Sequence, residues 1–175
     1  MANEIERKFL VDKWDFPGYL IGTAEKLELV QAYLQFPTPE IPTEKRIRKS
    51  NDSYFYTEKT KSKGSLLSRQ EEEREITKEE FENLMLQQKG SVIQKLRYKI
   101  PYQYDGASCI ELDVYKGYLG GLIVAEVEFP DIESGKGFNP PMWFGKEVTE
   151  DKAYKNASLA QKGLPAVKRE IYGAR

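Results

Sequence analysis

Charged residues recur two positions apart in several segments of this 175-residue chain. The first such segment is Glu4-Ile5-Glu6-Arg7-Lys8, and the last is Glu126-Val127-Glu128. Because strand side chains alternate between two faces, residues i and i+2 share a face about 7 Å apart. At that spacing two carboxylates can share a divalent cation, and two cations can contact adjacent phosphates. The same-face sets are Glu4/Glu6/Lys8, Arg46/Arg48, Lys59/Lys61, Arg69/Glu71/Glu73, Lys95/Arg97/Lys99, Glu111/Asp113 and Glu126/Glu128.

One such set alone is ordinary for the solvent face of an antiparallel sheet. Two properties of these sets favour a functional site instead. Glu126 and Glu128 end an otherwise apolar segment, and enclosed anions are costly unless they are paired or bound to metal. The acids also concentrate in the first and last predicted strands, while the third, fourth and sixth carry bases. An acidic wall that holds metal and a basic wall that holds a polyanion would together suit hydrolysis of a phosphoanhydride.

The amino-acid composition excludes several kinds of catalytic centre and metal site. The chain has no histidine, which excludes Ser-His and Cys-His nucleophilic centres and histidine-ligated zinc. A metal would then be a hard cation held by oxygen, and carboxylate, lysine, tyrosine or metal-bound water would carry protons. A net charge of −1 argues against a nucleic-acid partner. The single cysteine, Cys109, excludes an intrachain disulfide, and we expect a cytoplasmic protein with neither a membrane span nor a secretion signal.

The elements that must position these residues are mostly strands. Thr77 and Glu80 form a capping box for a helix with Gly90 as its stop, the chain after Pro130 should be irregular, and a final helix is expected over residues 151–162. Consecutive hairpins favour one mainly-β α+β domain over residues 1–175, with an antiparallel sheet closed into a barrel or folded into a sandwich. The predicted strands are 3–11, 27–34, 43–49, 53–61, 68–76, 92–102, 107–114 and 122–129.

The chain resembles the CYTH superfamily, the triphosphate tunnel metalloenzymes, along nearly its whole length. Glu4-Ile5-Glu6-Arg7-Lys8 is similar to the N-terminal ExExK signature of that family. The resemblance, which is to small bacterial members, implies an eight-stranded antiparallel closed β-barrel with a polar lumen and a few flanking helices. The further matching segments are Arg46-Ile47-Arg48, Lys59, Ser68-Arg69-Gln70-Glu71, Lys95-Leu96-Arg97-Tyr98, Glu111-Leu112-Asp113-Val114, Glu126-Val127-Glu128-Phe129 and Trp143-Phe144-Gly145-Lys146-Glu147-Val148-Thr149.

The resemblance also implies a role for each set of charged residues. Lys61 shares a face with Lys59, so the sequence leaves open which of the two would point into the tunnel. The expected ligands of one or two Mg²⁺ or Mn²⁺ ions are Glu4, Glu6, Asp113, Glu126 and Glu128, with Glu71, Glu73 and Glu111 as further acids. The expected phosphate-binding residues are Lys8, Arg46, Arg48, Lys59, Lys61, Arg69, Lys95, Arg97 and, in a C-terminal motif, Lys152. The expected catalytic residues are Glu4, Glu6, Lys8 and Lys95.

The leading hypothesis is a metal-dependent triphosphatase that hydrolyses inorganic tripolyphosphate to pyrophosphate and phosphate. Metal would draw charge from the phosphoryl oxygens, and Glu4 or Glu6 would accept the proton of the attacking water. Two alternatives stay open at this stage: an adenylate cyclase, and a polyphosphate- or nucleotide-binding module without catalysis. No convincing base-recognition set favours the cyclase, and a pure anion binder gains nothing from the acids. The expected partner is a small-molecule triphosphate, with no nucleic acid or membrane, and a homodimer is left open.

Overall fold

The computed structural model describes residues 5–13, 15–61, 69–104 and 107–165. The predicted ligand and catalytic residue Glu4 lies outside the described residues, and only the backbone of Arg69 is described. The strands are β1 (Ile5–Leu10), β2 (Glu25–Gln35), β3 (Thr43–Ser50), β4 (Ser53–Lys61), β5 (Arg69–Ile76), β6 (Lys89–Tyr104), β7 (Ala107–Lys116) and β8 (Ile123–Phe129). The α-helices are α1 (Lys78–Met85), α2 (Ile132–Gly137) and α3 (Asn156–Lys162), and 3₁₀ turns span Gly18–Thr23, Gly117–Leu119 and Lys152–Tyr154.

The eight strands form one sheet in the order β1-β8-β7-β6-β2-β3-β4-β5. Pairing is antiparallel between β1 and β8, between β7 and β8, and along the run from β2 to β5. The predicted mainly-β fold with an eight-stranded antiparallel sheet is therefore confirmed. The order ends at β1 and at β5, and within the described ranges no ladder joins these two strands. Closure into a barrel thus stays a prediction.

The chain divides into two compact units, Met1–Leu27 with Lys95–Lys152, and Glu28–Gln94 with Ala153–Arg175. In the first unit the core lies on one face of β1, β7 and β8. Phe9, Leu112 and Val127 are buried there and pack with Phe138 and Phe144 from the chain after β8. Since successive strand residues face opposite ways, burying these side chains directs the charged residues between them to the other face.

In the second unit, one face of β2 to β5 packs against α1. Its core contains Ala32, Ile47, Ile76 and Phe81. The predicted cap is confirmed, because Thr77 accepts a hydrogen bond of 3.1 Å from the Glu80 backbone N–H. Such a cap stabilises a helix by about 1 kcal/mol. Each apolar strand residue again leaves its polar neighbours on the opposite face.

Three details of the predicted elements are wrong. The helix α1 ends at Met85 with Leu86 as its C-cap, and Gly90 lies in β6 with a φ of 70°. The segment after Pro130 contains α2, whose first turn is capped because Asp131 accepts a 2.7 Å hydrogen bond from the Ser134 N–H. The final helical region is a 3₁₀ turn followed by the separate helix α3. Across the described part of the chain, the helices are all too short or too polar to cross a membrane.

Candidate metal and phosphate-binding site

Three glutamates gather at the pairing of β1 with β8. Glu6 lies opposite Glu128 and Lys8 lies opposite Glu126, so all four side chains share one face. Ligand oxygens of Glu6, Glu126 and Glu128, which we call the carboxylate cluster, lie within 4.8 Å of one another. Carboxylate oxygens are the ligands that hard divalent cations prefer, so the donor set of the carboxylate cluster fits Mg²⁺ or Mn²⁺.

Glu126 is the least exposed member of the carboxylate cluster. Burial, together with a hydrogen bond and charge repulsion from Glu6, raises the pKa of Glu126 to about 7, and Lys8 and Arg97 only partly oppose this rise. The Lys8 ammonium lies 3.9 Å from a Glu126 oxygen. The charges of Lys8 and Arg97 therefore do not offset the burial of Glu126 and its repulsion by Glu6, an environment that favours uptake of a proton or a cation.

Asp113 on β7 pairs with two cations of β6. Its carboxylate accepts hydrogen bonds of 2.8 Å from Lys95 Nζ and 2.8 Å from Arg97 Nε. Burial alone would raise the pKa of Asp113, but the charge of Lys95 and the Arg97 hydrogen bonds outweigh it and lower the pKa to about 2. Asp113 is thus an ionised carboxylate whose two oxygens are both engaged, and it lies outside the carboxylate cluster. Its predicted role as a metal ligand stays a prediction.

Lys95 and Arg97 differ in how far they can reach a ligand. The Lys95 side chain is only 3% exposed, and burial lowers its pKa while Asp113 opposes that change. The Arg97 side chain is 20% exposed and its guanidinium also lies 3.2 Å from a Glu111 oxygen. Burial lowers the pKa of Arg97, but the hydrogen bonds and charge of Asp113 more than offset this and raise it. Arg97 and Lys8 are therefore partly exposed cations beside the carboxylate cluster, whereas Lys95 is buried.

The second unit carries the predicted cations Arg46, Arg48 and Lys59 on one face. Arg46 lies opposite Tyr33 and Arg48 lies opposite Gln31, both on β2. Lys59 on β4 lies opposite Glu44 and Glu71. The even-numbered residues of β3 and the odd-numbered residues of β4 therefore share one face of the sheet, as the alternation of side chains along a strand predicts.

Each of these three cations has a carboxylate neighbour. The N–O distances are 3.6 Å from Arg46 to Glu44, 3.7 Å from Arg48 to Glu73 and 3.9 Å from Lys59 to Glu71. These distances exceed those of strong hydrogen bonds, so a phosphate could compete for the cations. Acids and bases are thus neighbours within each unit, and the expected separation into an acidic wall and a basic wall across a closed barrel stays a prediction.

The remaining predicted phosphate ligands lie at element ends. Lys61 is opposite Arg69 at the ends of β4 and β5, on the same face as Lys59. Lys61 is exposed and Lys59 is half-buried among polar neighbours. Lys152 is exposed at the start of a 3₁₀ turn. The structure does not bring Lys152 into contact with the carboxylate cluster through any hydrogen bond or ion pair among the described residues.

Sequence reasoning missed two side-chain networks. Gln31 is 4% exposed and donates a 2.9 Å hydrogen bond from Nε2 to the hydroxyl of Tyr33, whose pKa burial raises to about 12. Its position two residues before Tyr33 on a strand was the available signal. The second network joins Arg7 to Glu147, 140 positions later. Residues 143–149 stand out in the sequence through the family resemblance, and no local pattern links Glu147 to Arg7.

The chain is similar to known proteins over most of its length. The chain is 46% identical over 159 residues to an inorganic triphosphatase of Nitrosomonas europaea, with 90% of this chain and 96% of that one covered. It is 36% identical over 163 residues to an inorganic triphosphatase of Acetivibrio thermocellus, with 92% and 95% covered. The crystal structure of an inorganic triphosphatase superposes with a TM-score of 0.72 at 40% identity, covering 94% of this chain and 99% of that one. The sequence also matches the CYTH domain over residues 2–163, and this chain therefore belongs to the CYTH domain family.

Proposed function

We propose that this chain is a divalent-metal-dependent triphosphatase that hydrolyses inorganic tripolyphosphate to pyrophosphate and phosphate. The observation that carries the proposal is the carboxylate cluster, with the cation Lys8 directly beside it. Relatives at 46% and 36% identity that are inorganic triphosphatases support the same reaction. The proposed setting is the cytoplasm, with a small-molecule triphosphate as the partner.

Glu6, Glu126 and Glu128 would hold the metal, with Glu4 as a predicted further ligand. A bound Mg²⁺ or Mn²⁺ would supply charge that polarises the phosphoryl oxygens. Glu6 is exposed at the rim of the cluster, so its carboxylate could accept the proton of the attacking water. Glu4 is the other predicted base. The number of bound ions is left at one or two.

In the first unit, Lys8 and Arg97 would contact phosphate. In the second unit, Arg46, Arg48 and Lys59 remain predicted phosphate-binding residues on the face that β3 and β4 share. Positive side chains at these positions would neutralise the charge that develops on the leaving pyrophosphate. Lys95 would lie below these cations and farther from the phosphates, because its buried ammonium is already bound by Asp113. We also retain, as part of the proposal, the closure of the sheet into the tunnel that the sequence resemblance implies.

The direct test is phosphate release from tripolyphosphate with Mg²⁺, with Mn²⁺ and with EDTA. We expect turnover that EDTA abolishes and that either metal restores. Turnover that is indifferent to EDTA would contradict the proposed mechanism, and no turnover with either metal would contradict the proposed reaction. Incubation with ATP, scored separately for cyclic AMP, tests the cyclase alternative. Tight tripolyphosphate binding without any turnover would instead favour a binding module.

A further inference from the structure

The outer edge of β1 is paired with the segment 145–149. The Gly145 N–H donates a 2.7 Å hydrogen bond to the Leu10 carbonyl, and the Leu10 N–H donates one of 2.9 Å to the Lys146 carbonyl. The Val148 N–H donates one of 2.8 Å to the Lys8 carbonyl. Phe9 and Glu147 form the antiparallel bridge between them. This segment therefore acts as a short additional strand beside the strand that carries Glu6 and Lys8.

Thr149 continues this pairing with its side chain. The Lys8 N–H donates a 3.0 Å hydrogen bond to Thr149 Oγ1. The Thr149 hydroxyl in turn donates a 2.6 Å hydrogen bond to Glu147 Oε2. One hydroxyl thus links the backbone of a predicted phosphate-binding residue to a carboxylate on the neighbouring segment.

Arg7 closes the network from the opposite face of β1. Its guanidinium donates hydrogen bonds of 2.9 Å and 2.6 Å to the two oxygens of Glu147. A third nitrogen donates to the carbonyls of Gly135 and Phe138, at 3.0 Å and 3.1 Å. The guanidinium also lies over the rings of Phe9 and Phe138, at 5.2 Å and 5.8 Å. Bidentate pairing to a carboxylate fixes direction as well as distance, so Arg7 is held in one orientation.

These contacts enclose residues 7 and 8 of β1 in one hydrogen-bonded ring. Arg7 lies between Glu6 and Lys8 in sequence and faces the other way, so fixing Arg7 fixes the facing of both neighbours. A shift of β1 by one residue would place Arg7 on the face of the carboxylate cluster and remove Glu6 from it. The ring consists of Arg7, Lys8, Glu147 and Thr149, none of which belongs to the carboxylate cluster.

We propose that Thr149 and Glu147, acting through Arg7 and the Lys8 backbone, are positioning residues for the carboxylate cluster. They hold β1 at the height and register that bring Glu6 opposite Glu128 and Lys8 opposite Glu126. For its effect on catalysis this inference rests on the proposed function, because only then does the cluster bind a catalytic metal. Residues that support metal ligands typically alter affinity or activity by about 10- to 100-fold when they are replaced.

The test replaces Thr149 with valine, which keeps the shape of the side chain and removes both hydrogen bonds. We expect T149V to bind Mn²⁺ about 10-fold more weakly by calorimetry and to lose about 10-fold in kcat, with a smaller change in the KM for tripolyphosphate. The conservative variant T149S should restore both values. E147Q keeps the shape of Glu147 but loses its charge, and it should give an intermediate loss, which provides a second reading if T149V folds poorly.

The matched control is T77V in the second unit, which removes a hydroxyl that makes a comparable 3.1 Å bond to a backbone N–H. It should lower the unfolding temperature while leaving Mn²⁺ affinity and kcat unchanged. A folded T149V with wild-type Mn²⁺ affinity, or equal losses in T77V, would overturn the inference. Mn²⁺ affinity is measured without substrate, so wild-type protein that binds Mn²⁺ but does not hydrolyse tripolyphosphate would defeat the proposed function alone. Wild-type protein that binds no Mn²⁺ would defeat the positioning role.

Discussion

Lys95 and Asp113 form an ion pair of 2.8 Å between Nζ and Oδ2, with side chains that are 3% and 10% exposed. Asp113 also pairs with Arg97, whose Nε lies 2.8 Å from Oδ1, so one buried carboxylate is the counter-charge of two cations. A buried pair of this kind contributes little to net stability while it is intact, because removing both charges from water is costly. Losing one partner is different, since the other charge is then buried without compensation.

The first prediction follows from this asymmetry. Replacing Asp113 with Asn should lower the free energy of unfolding by about 3 kcal/mol, because Lys95 would stay buried without its counter-charge. The measurement is urea unfolding at neutral pH. The control is E111Q, whose carboxylate contacts the partly exposed Arg97 at 3.2 Å and should cost less than about 1 kcal/mol. A D113N loss no greater than that of E111Q would show that the pair is not the buried unit described above.

The second prediction concerns the carboxylate cluster. E126Q or E128Q should weaken Mn²⁺ binding at least about 10-fold and reduce tripolyphosphate hydrolysis in parallel, because either change removes one of three anionic ligands. Titration calorimetry and phosphate release are the two measurements. The matched control is E72Q, which lies on the same sheet but on the face of β5 opposite to Glu71 and Glu73. Equal losses in E72Q and E126Q would remove the basis for a localised metal site.

The third prediction is a pH dependence of stability in the absence of metal. Glu126 has a pKa of about 7 in the folded protein and an ordinary value near 4.5 otherwise. The folded state therefore binds more protons between these values, and stability falls as the pH rises through that window. We expect the unfolding temperature without metal to be lower at pH 8 than at pH 5.5.

Two comparisons make this pH prediction specific. In E126Q the fall between pH 5.5 and pH 8 should be smaller, because the titrating carboxyl is gone. Mn²⁺ added to wild-type protein at pH 8 should raise the unfolding temperature, since an ion that binds the folded state and not the unfolded one stabilises the fold. The lowered pKa of Asp113, about 2, acts in the opposite direction and only in acid, where its stabilisation is lost below pH 4. An E126Q profile identical to that of wild type would contradict the assignment to Glu126.

The fourth prediction concerns the cations of the second unit. R48Q should raise the KM for tripolyphosphate about 10-fold, because a charge-assisted hydrogen bond to phosphate would be lost. Mn²⁺ affinity measured without substrate should not change. The matched control is K49Q, the next residue on β3, whose ammonium lies on the other face at 5.8 Å from the ring of Tyr54. A rise in KM shared by K49Q would point to a general charge effect.

The sequence predicted which charged residues share a face, because the alternation along a strand has a period of two and leaves little freedom. Arg46 with Arg48, and Glu126 with Glu128, needed only correct strand assignments. The sequence could not predict the register between strands that are far apart along the chain. The pairing of Lys8 with Glu126, 118 positions later, is one example, because no local pattern indicates that these two residues lie opposite each other.

Three further features were not predicted, one for a local reason and two because the partners are distant in sequence. The helix α2 was hidden because two glycines among its six residues disfavour a helix, whereas packing of Gly135 against Phe129 and the Asp131 cap favour it in the fold. The partners of Asp113 were hidden because a carboxylate on one strand and two cations on another give no sign in sequence that they meet. The hydrogen bond between Arg7 and Glu147 joins residues 140 positions apart, so no local pattern indicates it.

The segment 145–149 has a further consequence for how the protein behaves among other copies of itself. An uncovered strand edge offers unpaired N–H and C=O groups on which a second chain can add, and such edges promote aggregation. Pairing with 145–149 uses these groups at Lys8 and Leu10. The approach is so close at Gly145 that an added Cβ would lie 2.7 Å from the Leu10 carbonyl oxygen. Gly145 thus makes room for the segment that covers the edge of the strand carrying Glu6 and Lys8, and this leaves fewer unpaired backbone groups there for a second copy to pair with.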